Sequence, residues 1–141
     1  MAHLPIYTGW LAAFLVVFQV ALMVRVGMHR AKGPAIGTGD DPQLERKIRR
    51  HGNLAENSGL FHAAIGLLEL IAGQTTYVMA IAIGFAAARL LHATGFSSLA
   101  GSHAAGEGGS RNVFILMRGF GAMGTIAVAL ACAGFLVANL I

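Results

Sequence analysis

The chain has 141 residues and a formal net charge of +4; 56% of its residues are hydrophobic and only 11% are charged. A soluble domain carries about 25% charged residues, so this composition excludes an ordinary soluble enzyme and predicts a single integral membrane domain, residues 1–141. The one cysteine, Cys132, excludes a disulfide within the chain and leaves a cysteine metal site without further cysteine ligands.

The first apolar segment, residues 4–28, is longer than the roughly 20 residues that a transmembrane helix needs. Tyr7 and Trp10 lie near its start, where interfacial aromatic residues belong, and Gln19 is expected to face a neighbouring helix. Seven of the ten basic residues lie between positions 25 and 50. By the positive-inside rule this region is cytoplasmic, which predicts that both termini lie outside.

A second helix is predicted over residues 42–72. Asp41 and Pro42 mark its start, because an acidic residue and a first-turn proline favour a helix N-terminus. Its charged first third is expected to lie in water or to line a wet cleft, with entry into the membrane near Asn57. Near its far end, Glu69 is expected to approach the outer headgroups.

Two further helices are predicted over residues 76–96 and 112–140, joined by a glycine-rich segment, 97–110, with almost nothing to bury. This segment has no phosphate-binding motif. The last helix carries small residues that permit close helix packing: Gly121, Gly124, Ala127, Ala131 and Gly134. The fold class predicted is therefore all-α, a four-transmembrane-helix bundle.

The most informative pattern is on the second helix, where Arg49, Asn53 and Glu56 are spaced by four and three residues. Such spacing places the three side chains on one stripe of a helix. Arginine binds a carboxylate, asparagine donates and accepts hydrogen bonds, and glutamate accepts from an ammonium group. The stripe therefore predicts a site for a small zwitterionic ligand, the alternative being a purely structural set of surface residues.

The histidines raise the question of a haem or metal site. Axial ligation needs two histidines at equal depth on facing helices, and His62 and His92 are predicted at different depths. The sequence contains no H-x-x-x-H or E-x-x-H pairing, so we expect no metal site.

The spacing R-x-x-x-N-x-x-E, within E-R-K-I-R-R-H-G-N-L-A-E, resembles the signature of the MAPEG family, the membrane enzymes of eicosanoid and glutathione metabolism. R-L-L-H-A-T-G-F on the third helix and R-G-F-G-A-M-G-T on the fourth support a likeness to bacterial members over nearly the whole chain. The resemblance implies an inner-membrane homotrimer that binds glutathione as co-substrate, without a metal, at its cytoplasmic side between subunits. Its other partners would be lipophilic small molecules and membrane lipids, with no nucleic acid.

The resemblance also implies residue roles. Arg49, Asn53 and Glu56 would bind the charged ends of glutathione, and the other ligand contacts would come from His51, from His92 and, across a subunit boundary, from Arg30. An arginine near the start of the fourth helix would stabilise the glutathione thiolate. Arg118 and Arg111 are the two candidates, and Arg118, which begins an R-x-x-G segment, is preferred.

The sequence departs from the family pattern at two places. Where tyrosine and then proline often follow the glutamate, this chain has Asn57, Ser58 and Gly59. On the third helix, Thr94 and Phe96 replace tyrosines. Each lost hydroxyl removes a hydrogen bond worth about 1 kcal/mol.

Three functional classes are therefore open. The first is a glutathione-dependent transferase or peroxidase acting on lipophilic electrophiles or lipid hydroperoxides. The second is a non-catalytic trimer, lipid-binding or accessory. The third is a small drug-efflux transporter, which is disfavoured because the first helix has no carboxylate.

Overall fold

In a computed structural model of the chain, residues 4–99 and 109–141 are described, with side chains from 111 onward in the second range. These residues form four α-helices in up-and-down order: α1 (Ile6–Arg30), α2 (Pro42–Ala72), α3 (Thr76–Gly95) and α4 (Gly109–Leu140). The closest neighbours are α3 with α4 and α1 with α2, so the bundle consists of two helical hairpins packed side by side.

The helix ends differ little from those predicted. α2 begins and ends at the predicted residues, whereas α1 lies two residues later at both ends. α3 ends one residue earlier than predicted, and α4 begins three residues earlier, so that Arg111 lies within its first turn. Most of the predicted glycine-rich connection, residues 100–108, lies outside the described residues.

Three helices are long and apolar enough to cross a membrane, namely α1, α3 and the 111–140 part of α4, among the residues that the structure describes. α2 has 31 residues, about 46 Å of helix, but its first half carries the charges of the predicted stripe. Large apolar side chains point outward on α1 and α4, including Trp10, Phe120 and Leu130. An apolar exterior of this kind is what a lipid-facing bundle requires.

The start of α2 is held as the sequence predicts. Pro42 opens the helix, and Asp41 Oδ1 accepts from the backbone N–H groups of Gln43 at 2.8 Å and Leu44 at 3.3 Å. Although desolvation acts in the opposite direction, these bonds and the one from His29 lower the pKa of the Asp41 carboxyl below its ordinary value. A lowered pKa in the folded state means that this cap stabilises the fold above the ordinary carboxyl pKa and is lost as pH falls through the folded value.

The expectation that Glu69 approaches the headgroups is wrong. Its side chain is fully buried and accepts from Tyr7 N at 2.9 Å, Thr8 N at 2.7 Å and Thr8 Oγ1 at 2.6 Å. The physical reason is the N-terminus of α1, whose first N–H groups have no intrahelical acceptor and whose cap residue, Pro5, has no side-chain hydrogen bond. Glu69 supplies these acceptors from α2 and ties the two helices together.

Glu69→Gln is therefore expected to destabilise the protein by about 2 kcal/mol, because an amide NH₂ then faces a backbone donor in a buried site. The measurement is thermal unfolding in detergent micelles. Glu56→Gln, which changes an exposed carboxylate of the same helix, is the matched control and should leave the midpoint unchanged. Equal midpoints for Glu69→Gln and wild type would contradict the capping role.

Close packing of α3 against α4 depends on two glycines. A Cβ at Gly121 would overlap the backbone of His92, and a Cβ at Gly95 would lie 2.6 Å from Arg118 Cβ. Of the predicted small-residue contacts, Gly121 and Gly124 face α3, whereas Ala127, Ala131 and Gly134 lie on the exposed surface of the described bundle. The five small residues therefore occupy two different faces of α4, and within this chain only Gly121 and Gly124 pack against α3.

Candidate ligand cleft on the second helix

A cleft of about 410 Å³ opens beside the first half of α2. Its walls include the three predicted residues Arg49, Asn53 and Glu56, together with Glu45 one turn before them and Phe96 from the end of α3. The loop between α1 and α2 adds Thr38. The structure therefore brings the predicted stripe to one polar concavity.

Within the cleft, Arg49 lies next to a carboxylate of its own helix. Its Nε donates to Glu45 Oε1 at 3.0 Å; the Arg49 side chain is 69% exposed and that of Glu45 37%. An exposed pair spaced by four residues contributes only about 0.3–0.5 kcal/mol. The pair is therefore weak, and the outer N–H groups of the Arg49 guanidinium can serve a ligand carboxylate.

Asn53 has a partner that the sequence analysis did not assign. Arg89 of α3, only 2% exposed, donates through Nη2 to Asn53 Oδ1 at 2.6 Å and through Nη1 to Thr125 Oγ1 at 3.2 Å. Its Nε is buried and has no hydrogen-bond partner among the described residues. Arg89 was not among the predicted site residues, although an arginine within an apolar helix is itself a signal of function.

A second cavity, of about 310 Å³, adjoins the cleft and shares Asn53 with it. Arg89, His92 and Thr125 line its polar side, and apolar residues of α2 and α4 line the rest. The cleft lies beside the polar first half of α2, and the second cavity is bounded largely by apolar residues of α2 and α4. A polar space next to an apolar one suits a polar ligand bound beside an apolar one.

Phe96 connects the cleft to the fourth helix. Its carbonyl oxygen accepts from Arg46 Nη1 at 2.6 Å, and the Arg118 guanidinium lies 5.2 Å from the centre of its ring. The Phe96 ring also contacts the buried ring of His92, with centroids 5.2 Å apart. Of the two candidate arginines, Arg118 thus lies next to a wall of the cleft, whereas Arg111 is exposed seven residues, about 10 Å, earlier along α4.

Two residues expected at the ligand site have contacts elsewhere within this chain. His51 Nε2 lies 2.8 Å from Gln19 Nε2, so it faces α1, and the expectation that Gln19 faces a neighbouring helix is confirmed. Arg30 donates through Nη1 to the carbonyl oxygens of Pro34 at 3.3 Å, Ala35 at 2.8 Å and Gly37 at 3.1 Å. Arg30 therefore stabilises the α1–α2 loop, in which Thr38 lines the cleft.

The residues described contain no group of three or more His, Cys, Asp or Glu side chains placed to hold a metal ion. The groups that the cleft offers a ligand from α2 are one guanidinium, one side-chain amide and two carboxylates.

Comparison with known proteins adds one result. The family model described as MAPEG family matches residues 6–138, nearly the whole chain. No curated protein and no solved structure matches the chain significantly.

Proposed function

Because the chain belongs to the MAPEG family, we propose that this integral membrane protein is a glutathione-dependent transferase or peroxidase acting on lipophilic electrophiles or lipid hydroperoxides. The family includes glutathione transferases and peroxidases. The observation that carries the proposal is the cleft in which Arg49, Asn53 and Glu56 converge beside Phe96.

The cleft suits glutathione for chemical reasons. This peptide carries two carboxylates, one ammonium group and amide groups, and the walls offer an arginine, an asparagine and glutamates to match them. Glutathione reaches the site from water, whereas apolar electrophiles concentrate in the bilayer against the apolar faces of α1 and α4. The site lies at the boundary where the two meet.

Arg118 is the proposed catalytic cation. A fixed guanidinium lowers the pKa of a nearby thiol and keeps its charge at every working pH. In the transferase reaction, the thiolate sulfur forms a bond to the electrophilic carbon and the leaving group departs with its electron pair. In the peroxidase reaction, two molecules of glutathione are oxidised to the disulfide while the hydroperoxide is reduced to an alcohol and water.

The assembly proposed is a homotrimer with its 29–50 loop in the cytoplasm and both termini outside. Arg30 and His51 do not line the cleft of their own chain, so any contact they make with glutathione comes from a neighbouring subunit. In this arrangement, a cysteine introduced at Thr38 is labelled from the cytoplasmic side and one at Gln74 from the outside.

One observation favours a non-catalytic alternative, a trimeric lipid-binding or accessory protein. Phe96, without a hydroxyl, forms a wall of the cleft, and the Asn57 side-chain amide donates to the backbone oxygen of Asn53 at 2.9 Å. These positions stand where family members often have tyrosine, so ligand hydrogen bonds are fewer. Glutathione binding without turnover would select this alternative.

Alanine at Arg49, Asn53 or Glu56 is expected to weaken glutathione binding about 30-fold, since removing a charged hydrogen-bond partner costs about 2 kcal/mol. The measurement is a thermal-shift titration with glutathione in detergent. Arg25→Ala, an exposed arginine of α1 outside the cleft, is the matched control and should bind as wild type does. Wild-type affinity in Arg49→Ala would show that the stripe is structural.

A further inference from the structure

We propose that Arg89 is a positioning residue that fixes the side-chain amide of Asn53 with its NH₂ group toward the ligand cleft. This inference rests on the proposed function, because it concerns the same cleft. It assigns a role to the most buried arginine of the described chain, whose hydrogen bonds go to Asn53 and Thr125.

The orientation follows from the chemistry of the two side chains. A guanidinium has only donors, so the Asn53 atom 2.6 Å from Arg89 Nη2 has to be the acceptor Oδ1. Oδ1 and Nδ2 are bonded to the same carbon and diverge from it, and a rotation that exchanged them would place two donors against each other. Asn53 Nδ2 has no hydrogen-bond partner within the described part of the chain, and Asn53 lines the cleft.

Arg89 is itself fixed by the fourth helix. Its Nη1 donates to Thr125 Oγ1 at 3.2 Å, and Thr125 Oγ1 donates to the Gly121 carbonyl oxygen at 2.8 Å. The hydroxyl is thereby committed as a donor to its own helix and keeps its lone pairs for the arginine. The order of contacts runs from α4 through α3 to α2 and ends at the ligand-facing amide.

The consequence is selectivity. With Oδ1 occupied, Asn53 offers a ligand only donors, so the group bound there is an acceptor such as a carboxylate or a peptide carbonyl. Glu56, one turn further along the same cleft, offers only acceptors when ionised. An asparagine without this partner could bind either a donor or an acceptor group of the ligand, whereas the Arg89-bound asparagine binds only an acceptor.

The experiment is a double-mutant cycle on glutathione binding, measured by calorimetry with the full-length protein in detergent. Arg89→Met should weaken binding about 10-fold in the wild-type background but less than about 2-fold in an Asn53→Ala background. Arg89→Lys, which restores a donor, should recover most of the affinity. Thr125→Val should weaken binding by a smaller factor, again only when Asn53 is present.

The outcomes are distinct. Equal losses from Arg89→Met in both backgrounds would overturn the inference, because Arg89 would then act directly on the ligand or on the fold, while the proposed function would stand. Should Arg89→Met fail to fold, the same comparison is made with Arg89→Lys and Thr125→Val, and equal losses in both backgrounds again overturn it. If wild-type protein binds no glutathione, the proposed function and this inference fail together.

Discussion

Gly121→Ala is expected to abolish stable packing of α3 on α4. The added Cβ would lie 2.6 Å from His92 Cα and closer still to its backbone N, so two helix backbones have to separate. Because the clash involves backbone atoms, no side chain can rotate away to relieve it. We therefore expect the free energy of unfolding to fall by about 3 kcal/mol. The separation would also move Arg118 away from the Phe96 ring and widen the cavity that Arg89 and His92 line together with α4. The measurement is the unfolding midpoint in detergent, with glutathione affinity as a second readout.

The chain offers a matched control for this substitution. Gly119 lies on the same helix two residues earlier, and a Cβ there meets nothing within 4 Å. Gly119→Ala should be neutral or slightly stabilising, since alanine has the higher helix propensity. A Gly121→Ala protein as stable as Gly119→Ala would show that α3 and α4 are further apart than the structure has them.

Arg118→Leu is expected to lower turnover about 100-fold, the usual effect of removing one preorganised charge that stabilises a developing anion. Glutathione should still bind, because the residues proposed to bind it lie on α2. The thiolate of bound glutathione absorbs in the ultraviolet, and that absorbance should be present at neutral pH in wild type and absent in Arg118→Leu. A histidine in this role would make the signal fall as pH rises through its pKa, whereas arginine keeps its charge throughout.

Arg111→Leu is the matched control, because it removes the same side chain from an exposed position of the same helix. It should retain the thiolate. The reverse result, with the signal lost in Arg111→Leu and kept in Arg118→Leu, would transfer the catalytic role to Arg111. Binding by wild type without any thiolate signal would favour the non-catalytic alternative.

The stripe on α2 was predictable because it is a local property. Arg49, Asn53 and Glu56 share one face of a helix whatever surrounds them, since the spacing fixes their directions. The same holds for the start of α2, where the Asp41 cap and Pro42 act within one turn. The partners of the stripe were not predictable, because Arg89 is 36 residues from Asn53 in sequence and meets it only when α3 packs beside α2.

The sequence by itself determined the class of protein, the four helices and the polar face of α2, because composition and helical spacing act over short distances along the chain. Only the tertiary structure decided where buried charges find partners. Glu69 lies near the C-terminal end of α2, yet its buried carboxylate caps the N-terminus of α1, 61 residues earlier in the sequence. It does so because the first backbone N–H groups of α1 have no acceptor within their own helix. His51 contacts Gln19 of α1, and Arg30 donates to backbone carbonyl oxygens of the loop that follows it. A buried or half-buried polar group takes the partner that packing brings within reach, and no pattern within a single helix specifies which helix that is.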